Sequence, residues 1–153
     1  MSRVYVSVVI DAPPAEVWSV VEPIELHVDW MADAEAIRFE GPQRRGVGTR
    51  IAVETHVGPL RLTDRMYVTE WIDGAVIGVD HVGRVAGSGR FTLEPAVDGG
   101  TLFAWEEELQ FPWFLGGRFG AVIGTALVLK PLWRRNLQQL KTLVETRRPA
   151  GAG

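Results

Sequence analysis

Four ionisable residues fall where a strand pattern points side chains inward: Asp64, Glu70, His81 and Glu107. The plainest case is TLFAWEEELQF, residues 101–111, which alternates like a half-buried strand yet carries three glutamates in a row. Phe103, Trp105, Leu109 and Phe111 occupy one side of that strand, and Glu107 shares it, whereas Glu106 and Glu108 face water. A carboxylate removed from water costs several kcal/mol unless it is paired or protonated, so an inward Glu107 requires a partner or a purpose.

The turn signals Gly58-Pro59, Asp73-Gly74, Arg84 to Ala86 and Asp98-Gly99-Gly100 set trial registers for the strands between them. On these registers Val68, Val79, Phe91 and Glu107 form one inner row, and Met66, His81, Gly89 and Leu109 the next, with Ile51 opposite Met66. Val53, Asp64, Gly83, Gly87 and Phe111 form a third row, and Glu70, Ile77, Leu93 and Trp105 a fourth. The opposite face carries Asp80, Arg90 and Glu108 side by side, the charge alternation expected in water.

Asp64 and His81 are then diagonal neighbours, roughly 7–8 Å apart at the backbone, within reach of their side chains. A carboxylate beside an imidazole orients it and raises its pKa, an arrangement suited to general acid–base chemistry. Gly83, Gly87 and Gly89 read as room beside that pair for a bound molecule. Glu107 is expected two strands from His81, roughly 12 Å away, where it would address the far end of the same molecule. Each residue also has a structural explanation. Asp64 and His81 can be a satisfied core pair, Glu70 can reach water beside the Asp73-Gly74 turn, and Glu107 can pair with an arginine such as Arg118. His56 is expected on the outer face, in solvent. His27 sits near Trp30 and Met31, where core, surface and a pocket lid are all open readings.

The elements that must position these groups follow from periodicity. Val4 to Ile10 reads as a strand, and Asp11-Ala12-Pro13-Pro14 leads into a helix with Val17, Trp18, Val20 and Val21 on its apolar side. Pro23 ends that helix, and Ile24 to Met31 forms a second short one. Ile37 to Phe39 begins a run of six strands that continues through 50–57, 60–72, 75–83, 87–95 and 101–111. After Pro112 the chain reads as helical to about Arg147, kinked or divided at Pro131. Beyond it Trp133, Leu137, Leu140 and Val144 keep helical spacing. The outcome is an α+β domain in which an antiparallel sheet must cover one apolar face, with the last helix as its cover.

The chain has 153 residues, a net charge of −3, and 46% hydrophobic residues without a cysteine. These values fit one domain over residues 1–148 with a disordered tail, 149–153, and they exclude disulfide and thiolate chemistry. No basic stripe points to nucleic acid. No signal-peptide pattern precedes the first strand, so a cytoplasmic location is expected. FLGGRFGAVIGTALVL, residues 114–129, is too short and too glycine-rich for a stable membrane span. Its Gly116, Gly120 and Gly124 fall on one stripe, and the Trp113–Gly124 region reads as a pocket mouth or a homodimer patch. No metal-ligand cluster, nucleotide loop or nucleophile motif is present, so neither metal nor cofactor is expected.

Across nearly its whole length the chain resembles a known family. VVIDAPPAEVWSVV, HVDW, GVGTR, VTEWIDG, GSGRFTLEPAVDGGTLFAWEEEL and the final RRNLQQLKTLVE look like the polyketide cyclase/dehydrase and lipid-transport family of the START-like helix-grip superfamily. The resemblance implies a seven-stranded antiparallel sheet gripping a C-terminal helix, with a deep apolar cavity between them. It also implies an apolar small-molecule partner, and in some members cyclase or dehydratase chemistry. It carries over no catalytic residue, because the motifs mark the fold.

The inner face therefore supplies the candidates. Trp30, Met66, Val68, Val79 and Phe91 are expected to contact a ligand, together with Phe103, Trp105, Leu109, Phe119 and Ile123. Three functions follow: a binding or carrier protein for a lipid, polyketide or isoprenoid-like molecule; an enzyme using His81, Asp64 and Glu107; or a regulatory domain that binds a partner through the Trp113–Gly124 surface.

Overall fold

The structure is a computed structural model that describes residues 2–110 and 125–147. The Trp113–Gly124 patch, Phe111, Arg118, Phe119, Ile123 and the 149–153 tail lie outside the described residues.

Seven strands form one antiparallel sheet: β1 (Ser2–Ile10), β2 (Ala34–Phe39), β3 (Arg50–Val57), β4 (Leu60–Ile72), β5 (Val76–Val82), β6 (Ala86–Pro95) and β7 (Thr101–Gln110). Their spatial order is β1-β7-β6-β5-β4-β3-β2, a meander in which only β1 pairs out of sequence, with β7. Between β1 and β2 lie helix α1 (Pro14–Val21) and a 3₁₀ turn over Ile24–Asp29. Pro14 opens α1 because its missing N–H is not needed there, and Val17, Trp18, Val20 and Val21 are buried.

At the C-terminal end a π-helical stretch, Thr125–Leu129, runs into helix α2 (Lys130–Arg147). Pro131 divides the two: it stands in the first turn of α2, where a proline displaces no intrahelical bond. Trp133, Leu137, Leu140 and Val144 are spaced by three and four residues, so they form one stripe, and all are buried in the core that joins α2 to the sheet. Full burial of such a side chain contributes about 1.5–3 kcal/mol, so this stripe holds the helix in place. A second cluster of Ile24, Ala34, Ile51, Val53 and Val68 closes the β2–β4 side.

The registers agree with the trial ladders on one side of the sheet and move on the other. Ile51 pairs Met66, Met66 pairs His81 and Val68 pairs Val79, as the turns predict. Across β5–β6 the partner of His81 is Gly87, not Gly89. Across β6–β7 Gly89 pairs Glu107 and Phe91 pairs Trp105, where the trial ladder paired Phe91 with Glu107. Both ladders are displaced by two residues. An even displacement preserves the face and changes only the neighbours.

Glu70 is the exception in facing. A bulge between Val68 and Glu70 inserts one residue and turns Glu70 to the outer face. There its two carboxylate oxygens each accept a 3.0 Å bond from Arg90.

Candidate functional site

The inner side chains of β3 and β4 alternate as strand geometry requires, so Val53, Thr55 and Val57 stand beside Leu62, Asp64 and Met66 on the surface that faces α2. Between them and Leu129 and Trp133 of the helical segment lies a cavity of about 290 Å³. Met31, Ala34, Val85, Trp105 and Leu109 add apolar wall. The polar groups reaching it from the described residues are few: Asp33, Thr55, Asp64, His81 and Glu107. A smaller space of about 70 Å³ adjoins it, bounded by Met66, Val79, Phe91, Trp105 and Glu107 among others.

His81 is the centre of the polar group. One ring N–H, at Nδ1, is shared by both oxygens of Asp64 at 3.0 Å, and the other, at Nε2, donates to Glu107 Oε2 at 2.8 Å. The second oxygen of Glu107 accepts the indole N–H of Trp105 at 2.9 Å. Burial by itself would pull the imidazole pKa down, but the hydrogen bonds to Asp64 and Glu107 and their two charges outweigh it and raise the pKa to about 10. At neutral pH the ring is therefore an imidazolium held between the side chains of Asp64 and Glu107.

Glu107 therefore lies against His81, not roughly 12 Å from it. The reason is the register: Gly89 stands opposite Glu107, and the carboxylate lies across the missing side chain. A Cβ at Gly89 would meet Glu107 Oε1 at 2.7 Å and Cδ at 2.8 Å. The glycines thus have other uses than leaving room for a ligand. Gly89 accommodates Glu107. Gly87 has φ +133 and so close an approach to β7 that a Cβ would overlap the Glu108 carbonyl oxygen, at 1.8 Å. Gly83 lies in the β5–β6 turn, where a Cβ would meet no atom nearer than 3.8 Å.

The other expected contacts divide into two groups. Met66, Trp105 and Leu109 border the larger space, and Val79 and Phe91 the smaller one. Trp30, Val68 and Phe103 are wholly buried behind the wall. Trp30 packs against Phe91, Phe103 and Trp105 with ring centroids 5.7, 6.1 and 6.3 Å away, and Trp105 stacks on Trp133 at 4.4 Å. These contacts fix the ring that donates to Glu107. His27 is buried, its Nε2–H donating to Val21 O at 2.7 Å, and burial lowers its pKa to about 4. It is a neutral core group beside Trp30. His56 lies 3.0 Å from Glu35 and is half-buried.

Asp33 and Asn136 are the polar residues that strand alternation and turn signals pass over. Asp33 is buried just before β2, and its carboxylate accepts 2.8 Å from Asn136 and 3.3 Å from the Trp133 indole N–H. Asn136 in turn accepts the Ala32 N–H at 3.0 Å. The signal in the sequence is an asparagine in the apolar stripe between Trp133 and Leu137, where a buried amide demands partners.

Among the described residues no cluster of histidine and carboxylate groups could hold a metal ion, and no helix is long and apolar enough to cross a membrane. Among curated proteins no sequence match is found. Solved structures share the fold at low identity. The Zhui aromatase/cyclase from a Streptomyces species superposes with a TM-score of 0.72 at 17% identity, covering 99% of this chain and 98% of that one. A Thermus thermophilus protein gives 0.75 at 17% identity, with 96% and 99% covered. A START superfamily protein from Mycobacterium smegmatis gives 0.69 at 14%, with 96% and 97% covered. The sheet that grips α2 is thus a START-like helix-grip fold, and a family model matches residues 1–145: the chain belongs to the polyketide cyclase / dehydrase and lipid transport family.

Proposed function

We propose that this protein binds a small apolar molecule, of lipid, polyketide or isoprenoid type, between the sheet and α2. The observation that carries the reading is the cavity of about 290 Å³, walled by aliphatic and aromatic side chains and reached by few polar groups among the described residues. Membership of a family described by both polyketide processing and lipid transport supports it.

The test is equilibrium dialysis of 1-methylnaphthalene, an apolar probe without a polar head. The wild type should retain about one probe per chain. Leu62→Trp, which builds an indole into the cavity, should retain at least about tenfold less, since a filled pocket loses its apolar contacts. Equal retention by both proteins, or none by the wild type, would remove the basis of the reading.

A second reading, acid–base catalysis of the cyclase or dehydratase type, rests on Asp64, His81 and Glu107 together. The hydrogen bonding weighs against it. Both ring nitrogens donate to carboxylates, and the imidazole side chain is 3% exposed. To accept a proton from a substrate, His81 would first have to lose one and break a charge-assisted bond. The partner-binding reading and the homodimer rest on residues outside those described.

A further inference from the structure

The described residues around the cavity are acidic on balance. Three carboxylates reach it, from Asp33, Asp64 and Glu107, and one imidazolium, from His81. No lysine or arginine among the described residues lines it. The three carboxylates differ in how far their oxygens are already engaged. Glu107 uses one oxygen on His81 and the other on Trp105. Asp33 uses one on Asn136 and the other on Trp133. Among the described residues Asp64 accepts from a single N–H, that of His81, shared between its two oxygens, where Glu107 and Asp33 each accept from two donors. Its side chain is also more exposed than those of His81 and Glu107, at 13%.

We propose that the ligand carries a hydrogen-bond donor at its polar end, an ammonium best and a hydroxyl next, which docks on Asp64, and that the cavity turns away carboxylates. This rests on the binding reading above and names the chemical class it selects. A donor would add to the single N–H that Asp64 accepts among the described residues, and a positive one would also pair with its carboxylate. A fatty-acid or other carboxylate head would meet like charge beside Asp64, a juxtaposition that is unfavourable. His81 cannot compensate, because both of its N–H groups are already given to protein carboxylates.

The experiment uses one apolar body with different heads: 1-methylnaphthalene, 1-naphthylmethanol, 1-naphthylmethylamine and 1-naphthylacetate, each dialysed against the full chain at neutral pH. The amine should bind tightest, the alcohol next, and the carboxylate about tenfold or more below the alcohol. Asp64→Asn keeps an oxygen for His81 but removes one charge and turns an amide into the cavity. It should narrow the gap between amine and carboxylate about tenfold. A carboxylate that binds as well as the alcohol or amine overturns the inference while leaving the binding reading intact. Failure of all probes, the hydrocarbon included, overturns both. If Asp64→Asn does not fold, the ranking on the wild type decides alone.

Discussion

Replacing Gly89 by alanine adds one methyl group and should cost far more than a strand glycine usually does. The new Cβ would stand 2.7 Å from Glu107 Oε1 and 3.3 Å from its Cγ, so the whole side chain must move and not merely its tip. Moving it breaks the 2.8 Å bond to His81 and the 2.9 Å bond to Trp105 and leaves a buried imidazolium short of one partner. Breaking a buried charged pair by displacing one member costs about 3–5 kcal/mol. In a domain of this size that lowers Tm by about 10 °C. Urea unfolding of Gly89→Ala measures the loss. The cause is isolated by repeating the substitution in a Glu107→Ala background, where the methyl group finds empty space and should cost under about 1 kcal/mol. A penalty of the same size in both backgrounds, or none in the wild type, would refute the placement of Glu107 over Gly89.

The two buried histidines give stability a pH dependence with two limbs. His81 titrates near 6.5 when unfolded and near 10 when folded, so its contribution is complete below about pH 6.5 and is lost as pH rises toward 10, amounting to about 5 kcal/mol. His27 goes the other way, from 6.5 to about 4, so stability falls by about 3 kcal/mol as pH drops from 6.5 to 4. Urea unfolding across this range should show a maximum near pH 6.5 from these groups, and an alkaline limb that is flat would contradict the His81 geometry. Long-range ¹H–¹⁵N spectra at neutral pH should show both ring nitrogens of His81 protonated and those of His27 in one neutral tautomer; a neutral His81 would contradict the account. Asp33→Asn sets an amide donor against the donors of Asn136 or Trp133 and should cost about 1–3 kcal/mol in the same assay; a loss below about 0.5 kcal/mol would show that the carboxylate is not needed there.

Which residues face inward is legible in the sequence, because facing depends only on odd and even position along a strand. Asp64, His81 and Glu107 fall on the inner face by alternation alone. Which of them touch is less legible, because contact depends on where each turn is centred. The β5–β6 turn is centred on Arg84 and the β6–β7 turn on Asp98, which takes φ 57 in a single 3₁₀ turn. Each centre is one residue earlier than the turn signals suggest, and a one-residue error in centre moves every partner by two. The two displacements cancel between β5 and β7, so Glu107 stays in the row of Val79; what changes is the β6 residue between them, Gly89 in place of Phe91, and across that glycine the carboxylate reaches His81. Glu70 departs from the trial ladder for a different reason: the bulge after Val68 has no signature in residue type, yet it exchanges inside for outside. The partners of Asp33 lie at least a hundred positions away on α2, beyond any local pattern.

The most direct measurement is a set of intermolecular NOEs between bound 1-naphthylmethanol and ¹³C-labelled methyl groups. The account predicts contacts to the methyls of Val53, Leu62 and Leu109, which line the cavity, and none to those of Val9, Ile72 or Val97, which are exposed. Contacts confined to the exposed methyls, or no contact at saturating probe, would contradict the claim that this fold holds an apolar ligand between its sheet and its last helix.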